Sequence, residues 1–205
     1  MSMKIAVIGG GSWGTGLAFL MADIGHSVAV WAYEKEVAES INLQHENSLY
    51  LPGVTLPSRI TSTPSLEEAV RGAQMILFAV PSHVARPVLI HLASLLTEPV
   101  PIVSATKGIE TGTLRLMTEV MEEVLPPQFR SSLAVLSGPS FAREVALRHP
   151  TAVSLAAKDH GFAARLQPHF IAPYFKAFIT TDVLGVQIGG ALKNVIAVAA
   201  GGADG

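Results

Sequence analysis

The strongest constraint on this chain lies in its first two dozen residues. Lys4–Ile8 is apolar after Lys4, Gly9-Gly10-Gly11-Ser12-Trp13-Gly14 follows, and Trp13–Ile24 carries Leu17, Leu20, Met21 and Ile24 at helical spacing before Gly25. This reads as a strand, a glycine-rich turn and a helix, the context in which G-x-G-x-x-G binds a dinucleotide. Gly9 permits the tight turn, Gly11 lets the backbone approach a pyrophosphate, and Gly14 allows close packing of helix on strand. The helix start then offers free N–H groups and a positive dipole end to the anion. A structural turn without ligand poorly explains three successive glycines followed by Gly14 and Gly16. Gly9, Gly11, Ser12, Trp13 and Gly14 are therefore the first cofactor-binding candidates, and the expected ligand is a nicotinamide dinucleotide.

Apolar runs alternate with helix-period segments along the rest of the chain, which predicts βαβ units and an α/β, Rossmann-type, doubly wound and mostly parallel sheet. Strands are expected at Ser27–Ala32, Met75–Val80, Ile102–Ala105, Leu133–Leu136, Ala152–Ala157 and Phe175–Thr180. Helices are expected at Glu36–His45, Val84–Leu96, Leu114–Leu125, Phe141–Arg148 and Gly161–Phe170, with Pro52–Pro57 a loop. Ser65 and Glu68 have capping-box spacing and open a short helix ending near Gly72. From about Val183 the pattern becomes one long helix, apolar on nearly every face, with few elements left to cover it. We expect a dinucleotide-binding domain over residues 1–182 and the first helix of a second, truncated domain over 183–205.

Composition excludes several alternatives. Hydrophobic residues make up 49% of the 205 residues and charged residues 15%, with a mean hydropathy of +0.43. That apolar balance raises the question of a membrane span. The C-terminal run is interrupted by Lys193 and Asn194, short of the roughly 18 to 20 clean apolar residues a span needs, so none is expected. A net charge of -2 with scattered cations suggests no nucleic-acid partner. There are no cysteines, which removes thiol chemistry and suits the expected cytoplasmic location. The seven histidines lack ligand-like spacing, so no metal site is expected.

The second strand should end at the residue that reads the adenosine ribose. It ends Trp31-Ala32-Tyr33-Glu34-Lys35, and Glu34 lies 20 residues beyond Gly14. Glu34 can accept a hydrogen bond from the 2′-hydroxyl; in the alternative it lies one position too late, with Tyr33 against the adenine and Lys35 free to meet a 2′-phosphate. Both NAD and NADP remain compatible with this segment.

Five segments together carry a family resemblance: Gly9–Gly16 (GGGSWGTG), Val80–His83 (VPSH), Ala105–Gly108 (ATKG), Ser137–Glu144 (SGPSFARE) and Gly185–Asn194 (GVQIGGALKN). In this order they resemble the bacterial-type NAD(P)-dependent sn-glycerol-3-phosphate dehydrogenases. The resemblance implies hydride transfer between a nicotinamide and C2 of glycerol 3-phosphate or dihydroxyacetone phosphate, supplying glycerol 3-phosphate for phospholipid synthesis. It also implies an all-helical substrate domain further on, without which the 205-residue chain would lack turnover. The expected partners are that small-molecule substrate and, at most, a second copy in a homodimer.

By the same resemblance Lys193 is the general base at the C2 hydroxyl. Val186, Ile188, Leu192, Val195 and Ile196 surround it in sequence, and desolvation there would favour its neutral form. Lys107 touches substrate and nicotinamide, where it can stabilise a developing alkoxide. Gly138 and Ser140 touch substrate, while Ala142 and Pro81 line the cofactor. For Ser140 the alternative is capping of the following helix. His83 is read as pocket wall or structural. Two other readings remain: a dinucleotide sensor without turnover, which has no use for Lys193, and a sister 2-hydroxyacid or ketopantoate-type dehydrogenase.

Overall fold

The computed structural model describes residues 2–204, so Gly205 of the expected second domain lies outside the described residues. The glycine turn is framed as its sequence requires, by β1 (Lys4–Ile8) and α1 (Ser12–Asp23). Gly9 adopts φ +120°, a conformation that side-chain-bearing residues rarely reach. A Cβ on Gly14 would fall 1.9 Å from the Gly9 carbonyl oxygen, so only glycine lets α1 sit this close to the turn.

Successive units add β2 (Ser27–Trp31), α2 (Lys35–Gln44), β3 (Ile60–Thr63), α3 (Leu66–Val70), β4 (Met75–Phe78), α4 (Ala85–Leu95) and β5 (Ile102–Ser104). The second half contributes α5 (Met117–Val124), β6 (Leu133–Ser137), α6 (Ala142–Ala146), β7 (Thr151–Ala156), α7 (His160–Leu166), β8 (Phe175–Thr180) and α8 (Val183–Asp204). The strands form one eight-stranded sheet in the order β3-β2-β1-β4-β5-β6-β7-β8. Only the β6–β7 pair is antiparallel. The doubly wound, mostly parallel architecture is thus as expected, and β1 with β4 marks the point where the strand order reverses. Ligands bind at that point in open α/β sheets.

Residues of the central strands feed two cores in alternation, which is why those strands read as continuous apolar runs. Ile5 and Val7 pack with Leu17, Leu20 and Met21 of α1 and Ile41 of α2. Ala6 and Ile8 face the other way, onto Leu89 and Leu92 of α4 and Val120 and Met121 of α5. Burial of such side chains, at roughly 25 cal/mol per Å2 of apolar surface, is the main favourable term holding the layers together.

Several boundaries differ from expectation. β3 was not anticipated: its ITST sequence has one apolar residue, and it is held by backbone pairing to β2 and by Asn42, which bonds both the N–H and the carbonyl of Ser62. The predicted helix at Leu114–Leu125 begins only at Met117, because Leu114 has φ +58° and belongs to a loop closed by an Ile109–Leu116 bridge. The capping box is half formed: Ser65 Oγ accepts from Glu68 N, but the Glu68 carboxylate accepts from Thr63 Oγ1 instead of reaching back to Ser65. Helix α6 is shorter than Phe141–Arg148 and is capped by Phe141 backbone, so Ser140 does not cap it.

Helix α8 runs as predicted, over residues 183–204. Its Gln187 is buried and exchanges two hydrogen bonds with Thr118 of α5, to the Thr118 N–H at 3.0 Å and hydroxyl at 2.9 Å. Val183–Ala203, with mean hydropathy 1.6, is long and apolar enough to cross a membrane by length and composition alone. The expectation that Lys193 and Asn194 interrupt it too early is therefore not met on that criterion.

Candidate functional site

The carboxyl ends of β1, β2, β4 and β5 open into a cleft of about 860 Å3, at the large end of the range for ligand sites. Of the candidate site residues, Gly9, Gly11, Ser12, Trp13, Tyr33, Glu34, Pro81, Lys107, Ser140 and Ala142 all line it. Gly14 does not; it lies behind the turn as a packing residue. His83 does not line it either and is exposed, so the pocket-wall reading fails, since the turn at Ser82–Val84 presents Val84 to the cleft instead.

The turn suits a pyrophosphate. No side chain caps the α1 N-terminus and no acidic residue sits in its first turn, leaving its N–H groups available. A Cβ built on Gly11 meets nothing within 4 Å, so the backbone there is open to the cleft. Trp13 Nε1 is a buried donor without a partner among the described residues. Behind the turn, the fully buried Asn47 donates to the Gly10 carbonyl at 2.8 Å and to Thr15 Oγ1 at 2.7 Å.

At the β2 end, Glu34 accepts a 2.8 Å hydrogen bond from the Tyr50 hydroxyl, and the carboxylate pushes the Tyr50 phenol above its usual range. At the opposite end Lys107 follows β5. Its ammonium lies 4.8 Å above the Trp13 ring and donates to the Gly138 carbonyl at 3.2 Å and to Ser140 oxygens at 3.4 Å. Burial, then repulsion from Lys193, pulls Lys107 down from 10.5 to about 8.

Lys193 approaches from α8 on the other side of the Ser137–Ala142 loop, where it lines a second cleft with Ser137 and Gly138. Its Nζ lies 4.2 Å above the Phe141 ring and 3.4 Å from the Ser140 carbonyl oxygen that Lys107 also contacts. Desolvation was expected at Lys193, which is half-buried, as is Lys107. Gly138 has a different reason for its lack of side chain, since a Cβ there would meet the β7 backbone, Val153 Cα at 2.9 Å. Its carbonyl is what reaches Lys107.

Sequence reasoning missed Asn47, Tyr50, Thr106 and Ser137. Thr106 lines the first cleft and donates to the Val80 carbonyl at 2.9 Å, tying the Lys107 loop to the end of β4. Ser137 Oγ is buried without a partner, beside Gly190 of α8. None lies in a pattern that marks a site, although Thr106 and Ser137 stand inside the ATKG and SGPSFARE segments. Among the described residues no cluster of metal-ligating side chains occurs.

Fold and cleft define the class: a doubly wound nucleotide-binding domain with a glycine cradle at its switch point and two lysines at one end. Residues 4–163 match the family described as NAD-dependent glycerol-3-phosphate dehydrogenase N-terminus, and the chain belongs to that family. It is 51% identical over 205 residues to the glycerol-3-phosphate dehydrogenase (NAD(P)+) of Citrifermentans bemidjiense, covering 100% of this chain and 61% of that protein. Identity to the protein of the same name from Geobacter sulfurreducens is 52% over 205 residues, with the same coverage. The crystal structure of glycerol-3-phosphate dehydrogenase from Coxiella burnetii superposes with a TM-score of 0.88 at 34% identity, over 99% of this chain and 61% of that one. The chain thus spans about three fifths of the length of these relatives.

Proposed function

We propose that this chain is the cofactor-binding part of an NAD(P)-dependent glycerol-3-phosphate dehydrogenase that interconverts dihydroxyacetone phosphate and sn-glycerol 3-phosphate. The observation that carries the reading is the convergence of Lys107 and Lys193 on one oxygen, the Ser140 carbonyl, beside a glycine cradle suited to a dinucleotide. The cofactor would lie along Gly9, Gly11, Ser12, Trp13, Tyr33, Glu34, Pro81 and Ala142, and would supply or accept hydride. The shared oxygen is a neutral backbone carbonyl, but it brings the two ammonium groups close enough that a ketone oxygen set between them would have its developing alkoxide charge stabilised by both. In this reading Lys107 polarises the C2 oxygen, and Lys193 gives it a proton or, in the oxidation, takes one. A Lys107 value of about 8 leaves that group mostly protonated at neutral pH, as a polarising donor must be. Gly138 and Ser140 would hold the substrate and the lysines in register through their carbonyls.

The family resemblance extends the proposal to the cytoplasm, to supply of glycerol 3-phosphate for phospholipid synthesis and to a homodimer. We read α8 as a helix of the enzyme and not a membrane span, because its mid-helix Lys193 engages the Ser140 loop.

The test uses the full-length protein with NADH or NADPH and dihydroxyacetone phosphate. Turnover is expected, and Lys193→Ala should lower kcat by at least about 100-fold, the low end for loss of an acid–base group, with cofactor affinity nearly unchanged. Normal turnover by that variant, or turnover of 2-ketopantoate in place of the phosphate substrate, contradicts the reading.

A further inference from the structure

Phe141 lines the main cleft, is 59% exposed and belongs to neither core. Burial therefore gives no account of it, but its position does. The face of its ring carries the Lys193 ammonium, 4.2 Å from the centroid. On the other side of the loop the Lys107 ammonium sits in the same way over Trp13, at 4.8 Å. Both ammonium groups also lie 3.4 Å from the Ser140 carbonyl oxygen, so two like charges stand within about 7 Å of each other. Repulsion would drive the ends of their flexible stems apart into water. Among the described residues neither lysine is paired with a carboxylate. Asp182 lines the second cleft with Lys193 but accepts from the Gly185 N–H at 2.8 Å, about 16 Å away along α8.

The backbones that present ring and lysine are both fixed. The start of α6 is pressed onto α1, where a Cβ on Gly16 would fall 3.0 Å from Ala142 Cα. Helix α8 is anchored by Gln187 on Thr118 and by Gly190, where a Cβ would fall 2.3 Å from Ser137 Oγ. Gly190 stands three residues before Lys193, on the same face of the helix. What remains free is the lysine stem, and the Phe141 ring with the Ser140 carbonyl holds its end.

We propose that Phe141 positions Lys193 for proton transfer, its ring face holding the ammonium beside the Ser140 carbonyl against repulsion from Lys107. This rests on the role given to Lys193 above and goes beyond it by naming the group that keeps that lysine in place. An aromatic face attracts a cation electrostatically and is not itself a base. It therefore holds the ammonium without competing for the proton that the lysine must give up and regain in each cycle. A carboxylate at the same place would bind the charged form more strongly and resist that exchange.

The experiment is steady-state turnover of dihydroxyacetone phosphate by the full-length protein, with the cofactor's dissociation constant measured by tryptophan quenching. Phe141→Leu keeps an apolar side chain and removes the π face, and the exposure of the site leaves the fold little affected. It should lower kcat about three- to tenfold, the scale of one cation–π contact, and leave the cofactor constant within about twofold. Phe141→Tyr keeps the ring face and should hold kcat within about twofold of the parent. In a Lys193→Ala background Phe141→Leu should cost nothing further, because the group it positions is gone. An unchanged kcat in Phe141→Leu overturns the proposal, as does a loss in Phe141→Tyr equal to that in Phe141→Leu. So does the same loss in the Lys193→Ala background, or weakened cofactor binding with kcat intact, which would make Phe141 a cofactor wall. In each of these the impaired turnover of Lys193→Ala leaves the role of Lys193 standing. Normal turnover by Lys193→Ala overturns both.

Discussion

Lys107 shows how one residue's chemistry is set by neighbours far away in sequence. Its ammonium is taken from water by Trp13 and the Ser140 loop, and Lys193 adds a like charge. Burial is the larger of these causes, so removing Lys193 should restore only part of the ordinary value. Replacement of Lys193 by Met is expected to raise the Lys107 titration from about 8 while leaving it below 10.5, measured by heteronuclear NMR of the lysine side chains. An unchanged midpoint would show that the two ammonium groups do not interact. At this scale the sequence was a fair guide to which residues matter and a poorer one to why. Gly138 was expected to touch substrate, and periodicity gave no hint that its missing side chain also makes room for β7. Tyr50 and Asn47 carried no signal, because an Asn and a Tyr in a loop are ordinary until folding places them against Gly10 and Glu34.

Among the elements, the loop from Ala105 to Leu116 has the hardest task, since it must hold Lys107 without regular structure. It is fastened by Glu110, which is buried and accepts two 2.8 Å bonds from Arg86 of α4. Arg86 also bonds Glu123 of α5, so one guanidinium links two helices and the loop. Arg86 first, then the Thr113 hydroxyl, holds the Glu110 carboxyl at about 2, against an ordinary 4.5. A carboxyl depressed in the folded state stabilises above its unfolded value, and the contribution is lost as pH falls through the folded value. Glu110→Gln should therefore lower Tm at pH 7, and its deficit against the parent should shrink between about pH 4.5 and 2. Thermal melts across that range check this; a constant deficit would mean that Glu110 acts by packing alone. The same loop explains a misplaced boundary. Its apolar residues Leu114 and Leu116 fall at helical spacing with Met117 and Val120, so periodicity extended α5 backwards. The Ile109–Leu116 bridge and the left-handed Leu114 are products of loop closure, which periodicity does not register. β3 escaped notice for a related reason: an edge strand of four mostly polar residues is stabilised by backbone pairing with β2, not by an apolar pattern.

For the whole molecule, α8 is the anomaly. Leu192, Val195, Ile196 and Val198 are 46%, 63%, 62% and 76% exposed, a contiguous apolar surface of the kind that soluble folds cover. The 205-residue chain expressed alone should bind a hydrophobic dye and self-associate. Val195→Glu with Val198→Glu should reduce both, measured by dye fluorescence and light scattering. A monodisperse, dye-negative chain would contradict this. The sequence by itself determined the layer architecture, the glycine turn at the first strand and α8, because apolar periodicity and glycine spacing are local quantities written along the chain. It also singled out both lysines through the motifs around them. Tertiary structure decided how burial and a second lysine act on Lys107, which backbone oxygen the two lysines share and what fastens Glu34. Those depend on contacts between residues 16 to 94 positions apart in the sequence, set only when the strands take their order in the sheet.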